Sequence, residues 1–175
     1  MLVFINPRIH TVSQLKTIKY WLKYIHPYLY EMKILFRFIN PFVRLILKSP
    51  LHFMVSHQIL LFRVVGRRSK RIFEIPASYA QINGSLVCVT LRENLWWKNF
   101  KNIETQEIYF KGKKINKNIS INFIDNAFVR EKLKELIEHN PIDAFFAGVK
   151  LDKNKVPNPA DLDKAAELHT VIILT

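Results

Sequence analysis

Residues 58–90 read QILLFRVVGRRSKRIFEIPASYAQINGSLVCVT, and this stretch decides the fold class. Ile59–Val65 is a β-branched and aromatic run ending at Gly66, the pattern of a strand running into a turn. Arg71–Ile75 predicts a second strand, and Pro76, which lacks a backbone donor, marks an edge, a bulge or a strand boundary. Ala77–Ile82 and Ser85–Thr90 flank Asn83-Gly84, a pair suited to positive φ and so to a type I′ hairpin turn. Further along, Leu95–Lys101 predicts a short helix, Thr105–Phe110 a strand, Lys111-Gly112-Lys113 a turn and Lys114–Phe123 another strand. Asn126–His139 has helical periodicity through Phe128, Leu133, Leu136 and Ile137 and stops before Pro141. Residues 141–158 are loop-rich, Asp161–Leu168 predicts a short helix, and His169–Leu174 a final apolar strand. About six strands joined largely by hairpins imply an α+β, mainly β architecture: an antiparallel barrel with helices at its ends rather than a doubly wound sheet.

Composition agrees with a globular chain that needs no staples. In 175 residues, 49% are hydrophobic and 13% aromatic, with four glycines, which excludes disordered and collagen-like classes. Cys88 is the one cysteine, so neither an internal disulfide nor a cysteine zinc site can form, and a reducing compartment, the cytoplasm, is expected. The histidines form no HxxxH or HExxH spacing, so no metal motif is visible. GxSxG and other nucleophile-plus-base patterns are also missing.

Charge is distributed unevenly. Residues 1–71 carry 13 Lys/Arg and a single acid, Glu31, for a net +12, whereas residues 72–175 carry +1. Such a segment calls for an anionic partner. Ser13 and Leu15, Ile18, Trp21, Leu22 and Ile25 predict a helix over 13–26 with Lys16, Lys19 and Lys23 on one face. In 28–48, Lys33, Arg37, Asn40, Arg44 and Lys48 fall within an arc of roughly 80° at helical spacing. Three interior cations oppose a bilayer crossing, leaving three readings: a helix packed on its own domain, one lying on an anionic membrane surface, or one docking a partner protein. The expected division is a basic amphipathic extension over 1–48 and a barrel domain over 49–175. Cytoplasmic placement is expected, with peripheral contact at the inner membrane face under the membrane-surface reading. Nucleic acid is not the expected partner, since no RRM, helix-turn-helix or zinc-finger framework is present.

Two concentrations of residues could carry chemistry. Gly66-Arg67-Arg68-Ser69-Lys70-Arg71 places four cations and a hydroxyl on one tight connection, suited to an oxyanion, although a solvated basic turn accounts for it equally simply. It is not a Walker loop. Trp96-Trp97-Lys98-Asn99-Phe100 offers either a flat apolar ligand surface with polar handles or plain core packing. Cys88, in an apolar strand, reads as a buried small hydrophobe.

Taken in order, Gly66-Arg67-Arg68-Ser69, Ile75-Pro76, Asn83-Gly84, Trp96-Trp97-Lys98-Asn99-Phe100 and Lys111-Gly112-Lys113 resemble the deazaflavin-dependent nitroreductase family, in its nitroreductase and quinone reductase branch. The family pattern runs roughly G-R-[KR]-[ST]-G, a strand with Pro, a D-G or N-G hairpin, W-[WY]-x-N-L and a G-[GR]-[KR] turn. The similarity spans about residues 38–175.

The resemblance implies a split β-barrel that binds the deazaflavin coenzyme F-420 or, in relatives, a flavin such as FMN. It implies hydride transfer to a small-molecule acceptor of quinone or nitro type. By position, Arg67, Arg68 and Ser69 would contact the cofactor's phosphate and acidic tail, Val87, Cys88, Val89 and Thr90 would line its ring, and Trp96, Trp97, Lys98 and Asn99 would border the pocket. The chain departs from the pattern at Lys70, where a Gly is expected, and at Glu74, where a Thr is usual. A cofactor-free membrane-surface or interaction protein on the same barrel is the alternative.

Overall fold

The computed structural model describes residues 39–175; the helix expected over 13–26, and Lys33 and Arg37 of the basic arc, lie outside them. Residues 39–48 form helix α1. A 3-10 turn at Pro50–Met54 follows, started by Ser49, whose hydroxyl accepts from the Leu51 N–H at 3.1 Å, with Pro50 where a missing donor costs nothing.

The strands are β1 (Ile59–Val65), β2 (Ile72–Ser78), β3 (Ala80–Ile82), β4 (Ser85–Leu91), β5 (Thr105–Phe110), β6 (Lys113–Asn122) and β7 (His169–Leu174). All pairings are antiparallel, in the order β2-β1-β5-β6-β7-β4-β3. The two ends of that order, β2 and β3, are consecutive in the chain, so the sheet curls back on itself as a split barrel. Strand β6 makes the bend: Lys113–Asn118 pair with β5, and Ile119–Asn122 pair with β7.

The strand expected over Ala77–Ile82 is therefore divided. Tyr79 turns the corner, its N–H donating to the Gln58 carbonyl at 3.0 Å and its hydroxyl to the Ser56 carbonyl at 2.8 Å. Residues up to Ser78 stay on β1, and Ala80–Ile82 cross to β4. Pro76 sits inside β2 opposite Leu61, which is tolerated because β2 ends the strand order. Asn83 and Gly84 take φ of +49° and +80°, and Lys111 and Gly112 take +47° and +74°, the left-handed pair that a two-residue type I′ hairpin requires.

Helix α2 (Asn126–His139) is capped by Asp125, which accepts from the Phe128 N–H at 3.0 Å. Helix α3 (Ile142–Ala147) lies in the stretch expected to be loop, and Gly148 closes it at φ +72°. Helix α4 is Pro159–Leu168, longer by two residues than expected because Asn158 caps it ahead of Pro159.

Two cores result. Inside the curl, Leu60, Phe62, Ile108 and Ile172 pack with Cys88 and Trp96. Outside β3, β4 and β7, helices α2 and α4 bury Leu133, Ile137 and Leu162 against Val87, Val89 and Val171. Burying a side chain of this size contributes roughly 1.5–3 kcal/mol, so these two layers hold the barrel.

Of the basic arc, Asn40, Arg44 and Lys48 lie in helix α1. Lys48 turns toward the barrel, its Nζ 2.7 Å from Glu74 Oε1 and 5.4 Å from the Tyr109 ring centroid. Arg44 Nε donates to the Asn40 carbonyl at 3.3 Å. The side left exposed carries Phe42 and Leu45. The carboxylate and the ring on the sheet give Lys48 better partners than solvent does.

Candidate functional site

The connection between β1 and β2 is built by its own hydrogen bonds. The Gly66 N–H donates to the Arg71 carbonyl and the Lys70 N–H to the Gly66 carbonyl, both at 2.8 Å. Ser69 Oγ accepts from the Arg71 N–H at 3.3 Å. Close approach favours Gly66, because a Cβ there would stand 2.6 Å from Ser69 Oγ and 3.1 Å from the Phe73 ring, so that one of them would have to move. Lys70, where the pattern calls for Gly, takes the left-handed conformation at φ +56°. The backbone therefore keeps the glycine-type turn with a lysine in it, at a cost of about 1–2 kcal/mol.

This closure leaves the N–H groups of Arg68 and Ser69 without a backbone or side-chain acceptor among the described residues. Arg67, Arg68, Ser69, Lys70 and Arg71 are all exposed. No carboxylate among the described residues forms an ion pair with these four cations. Free N–H groups beside unpaired guanidinium and ammonium groups make a place for an oxyanion.

The second motif is brought to the first. The 3-10 turn Trp96–Phe100 places Asn99 so that its Oδ1 accepts the Arg67 N–H at 3.0 Å, while its Nδ2 donates to the Trp96 carbonyl at 2.9 Å. Lys98 is half-exposed beside it, Nζ 5.8 Å from the Trp97 ring centroid, and Lys101 approaches the same ring at 5.9 Å. The anion-facing loop thus rests on the tryptophan turn through one amide.

The remaining expected site residues are placed differently. Trp96 and Trp97 are core residues: Trp96 packs on Phe62 and Phe100, with ring centroids 5.4 and 5.5 Å away. Trp97 Nε1 donates to the Arg92 carbonyl at 3.2 Å, whereas Trp96 Nε1 is buried without a partner. Strand β4 runs between β7 and β3 and is covered on both faces. Cys88 faces the inner core, Val87 and Val89 face the helices, and Thr90 Oγ1 accepts from Asn94 Nδ2 at 2.9 Å. None of the four presents a side chain to a ring-sized ligand. Burial pushes the Cys88 thiol far up, with Asp143 adding to the effect, so it is an inert thiol. Glu74 is engaged by Lys48 rather than by the arginines of the loop.

A polar cluster that the sequence did not suggest joins β2 to α3. Asp143 Oδ2 accepts from Ser78 Oγ at 2.8 Å and from Asn140 Nδ2 at 3.0 Å. Burial raises the Asp143 pKa, and these two hydrogen bonds hold it back. The available signal was a single acid inside the apolar run Ile142–Ala147. Asp143 also lines a small cleft with Thr90, Leu136, Phe146 and His169, with room for about one water molecule. His169 is buried and its pKa falls to about 4, chiefly through burial; Nδ1 lies 2.7 Å from the Ala165 carbonyl. Among the described residues no group of three His, Cys, Asp or Glu side chains could hold a metal, and no helix is long and apolar enough to cross a membrane.

No family model matches the chain, and no curated protein matches it. Solved structures similar to it include the following three. One, described as a domain-swapped dimer, is 17% identical over 79% of this chain and 98% of its own, with a TM-score of 0.47. An F420-H2 dependent reductase is 16% identical over 67% of this chain and 94% of its own, with a TM-score of 0.45. A protein assigned as a pyridoxamine 5'-phosphate oxidase from Listeria innocua is 14% identical over 71% and 88%, with a TM-score of 0.42.

Proposed function

We propose that the chain is an oxidoreductase whose 66–71 loop holds the anionic part of a deazaflavin or flavin cofactor. A bound reduced deazaflavin or flavin supplies a hydride to a quinone- or nitro-type acceptor. The observation that carries this reading is the Arg67–Asn99 hydrogen bond, which joins the two motifs of the family resemblance into one surface.

The residues present fit the anionic part of such a group. Arg67, Arg68, Lys70 and Arg71 supply charge, the Arg68 and Ser69 N–H groups supply directed donors, and the Ser69 hydroxyl retains its proton to donate. Asn99 fixes the loop's direction, and Lys98 adds a cation at its edge. The side chains of Val87–Thr90 do not fit a ring-lining role, because both faces of β4 are packed. Holding and orienting the anion is therefore the function derived for this chain's own residues, and no side chain is assigned proton transfer.

Spectroscopic titration with F-420 and with FMN tests the proposal. Replacing Arg67 and Arg68 together by Ala is expected to weaken binding by about 2–4 kcal/mol, from about 1.5–3 for each charge-assisted hydrogen bond less the effect of exposure. Undiminished binding by a folded double variant would move the cofactor elsewhere. The burial of β4 on both faces favours a second reading, an interaction protein on the same barrel that binds neither cofactor; failure of the wild type to bind either one selects it.

A further inference from the structure

The end of the barrel opposite the 66–71 loop carries a surface of a different kind. The Pro50–Met54 turn has no buried residue: Leu51, Phe53 and Met54 are 53%, 66% and 59% exposed. Between them His52 points inward, its ring resting on the β5–β6 turn at the place where a Cβ on Gly112 would stand. His52 Nδ1 lies 3.1 Å from Ser56 Oγ, which fixes the ring and so fixes the two turns against each other. The exposed Lys111 and Lys113 flank Gly112, with Lys111 Nζ 5.2 Å from the Phe110 ring centroid. Three apolar side chains and two lysines thus share one rim, and the exposed Phe42 and Leu45 of α1 lead into it.

Neither the Pro50–Met54 turn nor Lys111–Lys113 contains a carboxylate. None occurs in the sequence between Glu31 and Glu74. Glu74 is taken by Lys48, and Glu107 by Arg63 at 3.1 Å and Lys114 at 3.0 Å.

We propose that this rim is a docking surface for an anionic lipid bilayer, with Leu51, Phe53 and Met54 entering the headgroup boundary and Lys111 and Lys113 meeting lipid phosphates and carboxylates. Apolar side chains supply burial, and the cations supply attraction to anionic lipid. A second copy of the chain is the poorer occupant. A two-fold contact centred on the rim would bring two basic patches into one interface with no carboxylate in either turn to offset them.

The test is co-sedimentation of the full-length protein with vesicles of phosphatidylcholine alone and of phosphatidylcholine with phosphatidylserine, at low and at high salt. Binding is expected to the phosphatidylserine vesicles at low salt, and to fall at high salt as screening shortens the reach of the lysines. Phe53→Ser with Met54→Ser, and separately Lys111→Asn with Lys113→Glu, are each expected to lower partitioning at least tenfold. All four residues are exposed, so unchanged thermal unfolding is the control for folding, and Asn tolerates the positive φ at position 111. No binding to either vesicle overturns the proposal, as does equal binding to both. Full binding by both double variants overturns it too, by moving the contact elsewhere in the chain. A wild-type dimer that Phe53→Ser makes monomeric assigns the face to a second copy instead.

Discussion

The Arg67 N–H donates to Asn99 Oδ1 across 3.0 Å, and this one bond ties a hairpin loop to a turn thirty-two positions later in the chain. The same side chain donates to the Trp96 carbonyl, so Asn99 couples the buried indole layer to the exposed cations. Preorganisation of the loop passes through it.

Asn99→Ala removes both bonds and leaves the Arg67 N–H without its acceptor. The expected loss of stability is about 1–2 kcal/mol, read as a lower urea midpoint. Anion affinity is expected to fall as well, although Asn99 carries no charge. Wild-type affinity in a folded Asn99→Ala protein would show that the loop holds its shape unaided.

Lys70 is the converse case, a residue whose conformation suits glycine better. Lys70→Gly removes the left-handed penalty of about 1–2 kcal/mol and adds back roughly 0.5–1 through the freer unfolded chain. A net gain of about 0.5–1 kcal/mol in chemical denaturation is expected. A loss would mean that the Lys70 side chain makes a stabilising contact that outweighs its backbone strain.

At Glu74 the chain has a carboxylate where the family pattern has Thr, on the strand that follows the cationic loop. It faces Lys48, with Nζ 2.7 Å away. Glu74→Thr is therefore expected to leave cofactor binding unchanged and to cost under about 1 kcal/mol of stability, since the pair is partly exposed and screened by salt. Tighter cofactor binding by the variant would place Glu74 at the anion site.

The two hairpins, the split-barrel class and the span of α2 were legible because each rests on local chemistry. Asn83-Gly84 and Lys111-Gly112 declare positive φ, and Phe128, Leu133, Leu136 and Ile137 declare one helical face. The loop's cations were equally visible, being contiguous. Tyr79 was not: nothing local distinguishes a strand that runs straight from one that changes partners, and the corner is set by Gln58 and Ser56. Residues 142–147 were missed because a six-residue helix has too little periodicity to stand out, and its acid is explained only by Ser78 and Asn140. The covering of both faces of β4 was also hidden. A short apolar run reads the same whether one face awaits a ligand or both are packed.

Gly112 joins the two turns of the proposed lipid rim through backbone geometry. It combines φ +74° with the His52 ring occupying the space of a Cβ. Gly112→Ala must pay the left-handed penalty and displace the ring, a cost of at least about 2 kcal/mol, measured by thermal or chemical unfolding. An Ala protein as stable as the wild type would mean that the His52 ring swings away without consequence.

Acid stability follows from two buried groups that pull in opposite directions. His169 titrates near 6.5 when unfolded and at about 4 when folded, so between these values the unfolded chain binds the extra proton. Stability therefore falls as pH drops from about 6.5 toward 4, by up to about 3 kcal/mol. Asp143 works the other way. Burial raises its pKa in the folded state, so the fold binds its proton more readily than the unfolded chain does, and acidification relieves its cost. The net slope should follow His169, whose pKa burial pushes down to about 4 despite the Ala165 carbonyl on Nδ1, which pulls it up. Urea midpoints measured from pH 7 to pH 4 should fall steeply for the wild type and more gently for His169→Gln. Asp143→Asn keeps an oxygen for Ser78 and Asn140 but removes the opposing titration, so its midpoints should fall more steeply than those of the wild type. An unchanged slope in His169→Gln would mean that the ring takes up its proton in the folded state without opening the cleft.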